Sequence, residues 1–228
     1  DNWNKLVHVL ETEENVLPEG RSFVYKENTP YYCNPLPRYV NLNTTTIYVS
    51  QSLPAKSCGN QIEFFVFNPM PVGEEAEKEY VDLMHLYTEL VSPYFVVNKE
   101  TSLEDWQKHY ELYEHYCKRI EKEGEEKVLK ELEDTLTQYP PEGCDHYMMT
   151  WGIRNHIYKS EHYQLEPEMG KFEDGEFPLG YKPEGFLRGA YGDSWMYIPV
   201  YEEQIFHNAV RNDYLPFEEY TKRYLPKI

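Results

Sequence analysis

Between Gly73 and Tyr139 the apolar residues of this chain recur three and four positions apart, and neither flank keeps that period. Such spacing lines one side of an α-helix, so the middle of the chain is expected to be helical and its ends are not. Ala76, Tyr80, Leu83, Met84, Tyr87, Leu90 and Val91 mark a first helix, closed by Ser92-Pro93. A second opens at Thr101-Ser102, where Thr101 with Glu104, or Ser102 with Asp105, forms a capping box. Its apolar seam is Leu103, Trp106, Tyr110, Tyr113, Cys117 and Ile120. After Gly124 the stripe resumes in steps of four as Val128, Leu132 and Leu136. Glycine inside a helix costs about 1 kcal/mol relative to alanine, which predicts a break at that residue.

Residues 1–72 read as strands. Arg21 to Tyr25, Thr44 to Ser50 and Gln61 to Phe67 are β-branched or aromatic runs bounded by Pro, Asn and Gly. Thr46-Ile47-Tyr48-Val49 is too apolar on both sides to form an exposed edge. Asn34-Pro35-Leu36-Pro37 reads as a loop, and Leu6, Val7, Val9 and Leu10 suit a short opening helix or strand equally. Residues 140–228 are irregular and aromatic. Pro140-Pro141-Glu142-Gly143 ends the helical region, Tyr147 to Tyr163 reads as helical in part, and Glu166 to Pro199 reads as turns and extended chain. Short helices are expected from Glu202 to Arg211 and from Phe217 onward. The fold class is therefore α+β: a β-rich N-terminal part, a central helical hairpin and a mixed C-terminal part, within a single domain of residues 1–228.

The helical region also gathers charge. It holds 18 acids and 8 bases, more than half of the net charge of −18. An acidic surface repels phosphate backbones and anionic headgroups, which disfavours direct nucleic-acid binding, and it favours encounter with a basic protein. No apolar run approaches the ~18 residues of a membrane span. The four cysteines, Cys33, Cys58, Cys117 and Cys144, lack zinc-site spacing and read as free thiols, although Cys33 and Cys58 flank a hairpin that a bridge would suit. Asp stands at position 1, which reads as a trimmed or processed chain.

Sequence motifs of catalysis are few. The chain has no nucleophile elbow, no P-loop, no dinucleotide fingerprint and no HExxH pair, and no motif calls for a cofactor. Three of the eight histidines, His146, His156 and His162, fall close together and ahead of Glu166. A helix through Glu161 to Glu166 would set His162 and Glu166 one turn apart, and the same spacing relates His156 to Ser160. Imidazole and carboxylate so placed bind a metal or share a proton. Two readings follow. The first is a non-catalytic module that binds a basic partner through an acidic and aromatic face of Glu111, Glu114, Glu121, Glu125, Trp151, Tyr158 and Trp195. The second is a hydrolase or metal-dependent enzyme that uses His146, with His156, His162 and Glu166 as ligands.

Overall fold

The computed structural model describes residues 2–14, 16–32, 34, 36–48, 53–92, 103–150, 156–201 and 209–225. Along the chain these form α1 (Asn2–Thr12), β1 (Arg21–Val24), β2 (Arg38–Asn41), β3 (Thr45–Tyr48), a 3-10 turn (Ala55–Ser57), β4 (Asn60–Glu63) and β5 (Phe67–Pro69). The helices α2 (Glu74–Val91), α3 (Leu103–Glu123) and α4 (Glu125–Thr137) follow. Then come β6 (His146–Met149), β7 (Ile157–Lys159), α5 (Glu161–Gln164), β8 (Met169–Phe172), β9 (Gly175–Pro178), α6 (Pro183–Tyr191), β10 (Ala209–Asn212) and α7 (Phe217–Tyr224). The class is α+β, with small antiparallel sheets in place of one large one. By contacts the chain divides into two units, Asp1–Val66 with Ile205–Ile228, and Phe67–Gln204.

The first unit is built around β2, which pairs with β1 on one side and β4 on the other. Register sets Val24, Arg38 and Glu63 side by side on one face, with Ser22, Val40 and Gln61 in the next row. Val24 and Val40 are fully buried, and Tyr32, Leu42 and Leu53 pack on them. Arg38, 2% exposed, is held by Glu63 Oε1 at 2.8 and 3.1 Å and lies over the rings of Tyr32 and Tyr48. A buried guanidinium is tolerable only with such a partner. On the other face Phe23 meets Phe64 and Trp3, which brings α1 onto the sheet. The apolar Thr46-Ile47-Tyr48 run is covered by β10, a strand from the far end of the sequence. The helix expected from Glu202 to Arg211 is thus replaced by a strand over Ala209–Asn212, while residues 202–208 lie outside the described ones. Pairing with β3 outweighs the local helical pattern there.

In the second unit α2, α3 and α4 pack around Tyr80, Met84, Leu86, Tyr87, Leu129, Leu132 and Leu136. Two tyrosine hydroxyls tie α2 to α4: Tyr80 donates to the Leu136 carbonyl at 2.9 Å and Tyr87 to Glu133 at 2.5 Å. The break at Gly124 is present, and φ there is +94°, which explains why glycine occupies it. The seam of α3 is rotated from the one expected. Tyr113 packs on the core as expected, but Tyr110 is 64% exposed, and Leu112 and Tyr116 pack on the core in its place. The capping box at Thr101-Ser102 and the side chains of Leu103 and Trp106 lie outside the described ones. Beyond α4, β6 pairs with β5 and β7, so the described part of Tyr147 to Tyr163 holds two strands and is helical only from Glu161.

Candidate functional site

Three of the expected acids, Glu111, Glu114 and Glu121, lie on α3, and Glu125 opens α4. Glu111, Glu114, Glu121 and Glu125 are all exposed. Glu114 pairs with Lys118 at 3.0 Å, and Glu111 accepts from Gln107 at 3.3 Å. Among the described residues Glu121 and Glu125 hold no salt bridge. Exposed pairs one helical turn apart contribute little to stability. Nearer the α3–α4 junction, Arg119 bridges Glu123 and Glu131, and Lys127 joins Glu123 at 2.8 Å. Hydrogen bonds from Arg119 and then Lys127 hold the Glu123 carboxyl down at about 2. These acids are committed to the helix junction; the outer four are not.

Of the aromatic members of the expected face, Tyr158 is turned inward. Tyr158 is buried, 4% exposed, because Phe186 of α6 stacks on its ring at 4.4 Å and Phe67 meets its edge. Trp195 is half-buried in the turn after α6, and Trp151 lies outside the described residues. The glycine-rich stretch Gly185 to Gly192 is the body of α6 and no turn. Its glycines let the helix approach: a Cβ at Gly185 would stand 3.1 Å from His162 Cε1, and one at Gly189 3.5 Å from Tyr158.

The histidines each serve a different contact. His146 Nδ1–H donates to Glu77 of α2 at 2.9 Å, and His162 Nδ1–H donates to the Tyr181 carbonyl at 2.6 Å. The Tyr158 hydroxyl donates to His156 Nδ1 at 3.1 Å, and burial lowers the pKa of that ring, favouring its neutral form. The helix expected through Glu166 stops at Gln164. Leu165 is extended at φ −98° and ψ 162°, so Glu166 leaves the His162 face and stands in solvent. His156 and Ser160 likewise flank a strand, not a helical turn. Among the described residues no three His, Cys, Asp or Glu side chains gather into a metal-binding group. The Cys58 thiol is unbridged and buried, and burial raises its pKa, which leaves it a poor nucleophile.

One surface has no counterpart in the sequence reading. β8 and β9 form a hairpin with the two-residue turn Glu173-Asp174, and no further strand extends it among the described residues. Pairing of Gly170 with Phe177, and of Phe172 with Gly175, sets both rings on one face, where they meet edge to face at 6.5 Å. Phe172 is 69% exposed, Phe177 and Leu179 51% each. The sequence carries an Asp174-Gly175 pair here, but the turn falls one residue earlier, on Glu173-Asp174, and Gly175 is the first residue of β9.

No protein-family model, curated protein or solved structure matches the chain.

Proposed function

We propose that the protein is a non-catalytic acidic interaction module that binds a basic protein partner, as an inhibitor, an immunity-type protein or an accessory subunit of a complex. The observation that carries this reading is the outward display of Glu111, Glu114, Glu121 and Glu125 on α3 and α4, whose inner sides are spent on the core. A net charge of −18 attracts a basic protein over several ångströms, and exposed carboxylates act chiefly on the rate of encounter. The same field opposes a phosphate backbone.

Titration with poly-L-lysine at low and raised salt tests the reading. One variant carries glutamine at Glu111, Glu114, Glu121 and Glu125. A control carries it at Glu13, Glu14, Glu19 and Glu27, an equal change in net charge. Affinity should fall steeply with salt, and the helix-face variant should lose about tenfold more than the control. Equal losses would leave the face without a special role, and binding indifferent to salt would end the proposal.

A further inference from the structure

We infer that the face of the β8–β9 hairpin bearing Phe172, Phe177 and Leu179 is a docking site for a basic polypeptide segment with apolar side chains. The inference rests on the reading of the protein as a binder of basic partners, and it gives that reading a contact surface.

The face is built from the register outward. Cross-strand partners point to the same side, so Gly170 and Phe177 share a face with Phe172 and Gly175. Leu179, whose N–H donates to the Glu168 carbonyl at 2.8 Å, continues that side beyond the last pair. The large side chains lie across the bare backbone of the glycines. A Cβ at Gly170 would stand 2.3 Å from Leu179 Cδ1, and one at Gly175 2.7 Å from Phe177 Cε2. The ridge is thus flat and continuous, yet all three side chains are half exposed or more. A two-stranded hairpin in water is at best marginally stable, and an apolar face is normally covered by a helix or further strands. Exposed aromatic side chains on a rigid element are also what binding interfaces use as anchors.

Charge identifies what covers it. Glu166, Glu168, Glu173 and Asp174 are exposed beside the ridge, while Lys171 and Glu176 pair across the strands on the opposite face. Glu168 Oε1 accepts from the Lys182 N–H at 3.2 Å; the other three acids hold no salt bridge among the described residues. A second copy of this chain would bring the same acids against these, and an anionic lipid surface would be repelled likewise. A segment alternating lysine or arginine with apolar residues meets both demands: its apolar side chains cover the ridge and its cations face the acidic fringe.

The test uses the full chain with a short synthetic peptide of alternating lysine and leucine, and a lysine-only peptide of equal length as control. Backbone amide NMR shifts locate each peptide. The leucine-bearing peptide should move the amides of Gly170, Phe172, Gly175, Phe177 and Leu179, and bind about tenfold more tightly than the lysine-only one. Phe172→Ser with Phe177→Ser should remove that advantage. Because this pair can loosen the hairpin, a second variant, Glu173→Gln with Asp174→Asn, keeps the ridge and should weaken the peptide by a similar factor. Shifts confined to α3 and α4 would overturn the hairpin site and leave the broader reading standing. Binding of neither peptide would overturn both. Hairpin shifts that grow with protein concentration alone, or on adding anionic vesicles, would assign the face to a second copy or to lipid and overturn the inference.

Discussion

Phe186 of α6 lies stacked on Tyr158 of β7, their ring centroids 4.4 Å apart and their planes 16° from parallel. Tyr163 and His162 meet the same Phe186 ring edge-on, so one side chain fastens α6 to both β7 and α5.

Removing that ring should loosen the helix. Phe186→Ala is expected to cost about 2 kcal/mol, below the 3–5 typical of a fully buried phenylalanine because this one is half-buried. Gly189→Ala on the same helix should act oppositely. Its Cβ would stand 3.5 Å from Tyr158, an ordinary contact, so the helix-propensity gain of up to about 1 kcal/mol is retained. Denaturant unfolding of the two variants checks the pair of signs; a destabilising Gly189→Ala would mean that α6 sits closer to β7 than described.

His109 gives the stability a pH dependence with a defined sign. Its Nε2–H donates to Glu89 Oε2 at 2.7 Å, and this hydrogen bond, opposed by burial and aided by the charges of Glu89 and Asp82, raises the ring's pKa. The folded state therefore binds the proton more tightly than the unfolded one. The stabilisation is fully present below the unfolded pKa of about 6.5 and is lost as pH rises through the higher folded value. His156 works the other way. Burial lowers its pKa, so its contribution is present above the unfolded value and fades as pH falls through it. His109→Gln should accordingly cost most in mild acid and little in mild alkali, with His156→Gln showing the reverse slope. Parallel slopes for the two variants would contradict the assignment.

Tyr110 and Leu112 separate two registers of α3. Tyr110→Ala is expected to change stability by less than about 0.5 kcal/mol, as for other surface sites. Leu112→Ala, which removes packing from the core cluster, should cost about 1–2 kcal/mol, and Leu132→Ala, at the centre of that cluster, about 3. If Tyr110→Ala proved the costlier of the first two, the helix would be rotated back toward the stripe read from its sequence.

That rotation shows where legibility ended. The helices, their break at Gly124 and the buried Val128, Leu132 and Leu136 follow from spacing alone, because a stripe without alternatives has one way to face inward. In α3 tyrosines occupy both Tyr110 and Tyr116, on either side of Tyr113, and a tyrosine suits core and solvent alike, so the period could not choose between them. β2 was hidden because Arg38 opens it directly after Pro37, and only its cross-strand partner Glu63 makes a buried arginine tolerable. Burial of Tyr158 was not legible, since it depends on Phe186, which stands far along the chain and reaches it only through α6.

The β8–β9 turn carries a strain that substitution can relieve. Glu173 takes φ of +54°, in the left-handed region that costs an L-residue about 1–2 kcal/mol and glycine nothing, and hairpin turns with a positive φ at their first residue favour glycine there. Glycine also widens the unfolded ensemble, which returns up to about 1 kcal/mol of that gain. Asparagine tolerates the left-handed region without that loss. Glu173→Asn should therefore stabilise the hairpin most, Glu173→Gly somewhat, and Glu173→Val, β-branched at a positive φ, should destabilise it. Hydrogen exchange of the Gly170, Phe172 and Phe177 amides reads this ordering locally, with a tenfold change in protection for about 1.4 kcal/mol. Protection that ignores the substitution would mean that the turn does not govern the hairpin. If the ridge is a docking face, Glu173→Asn has a further consequence: a firmer hairpin loses less freedom on binding, so affinity for an apolar basic peptide should hold or rise despite the lost carboxylate.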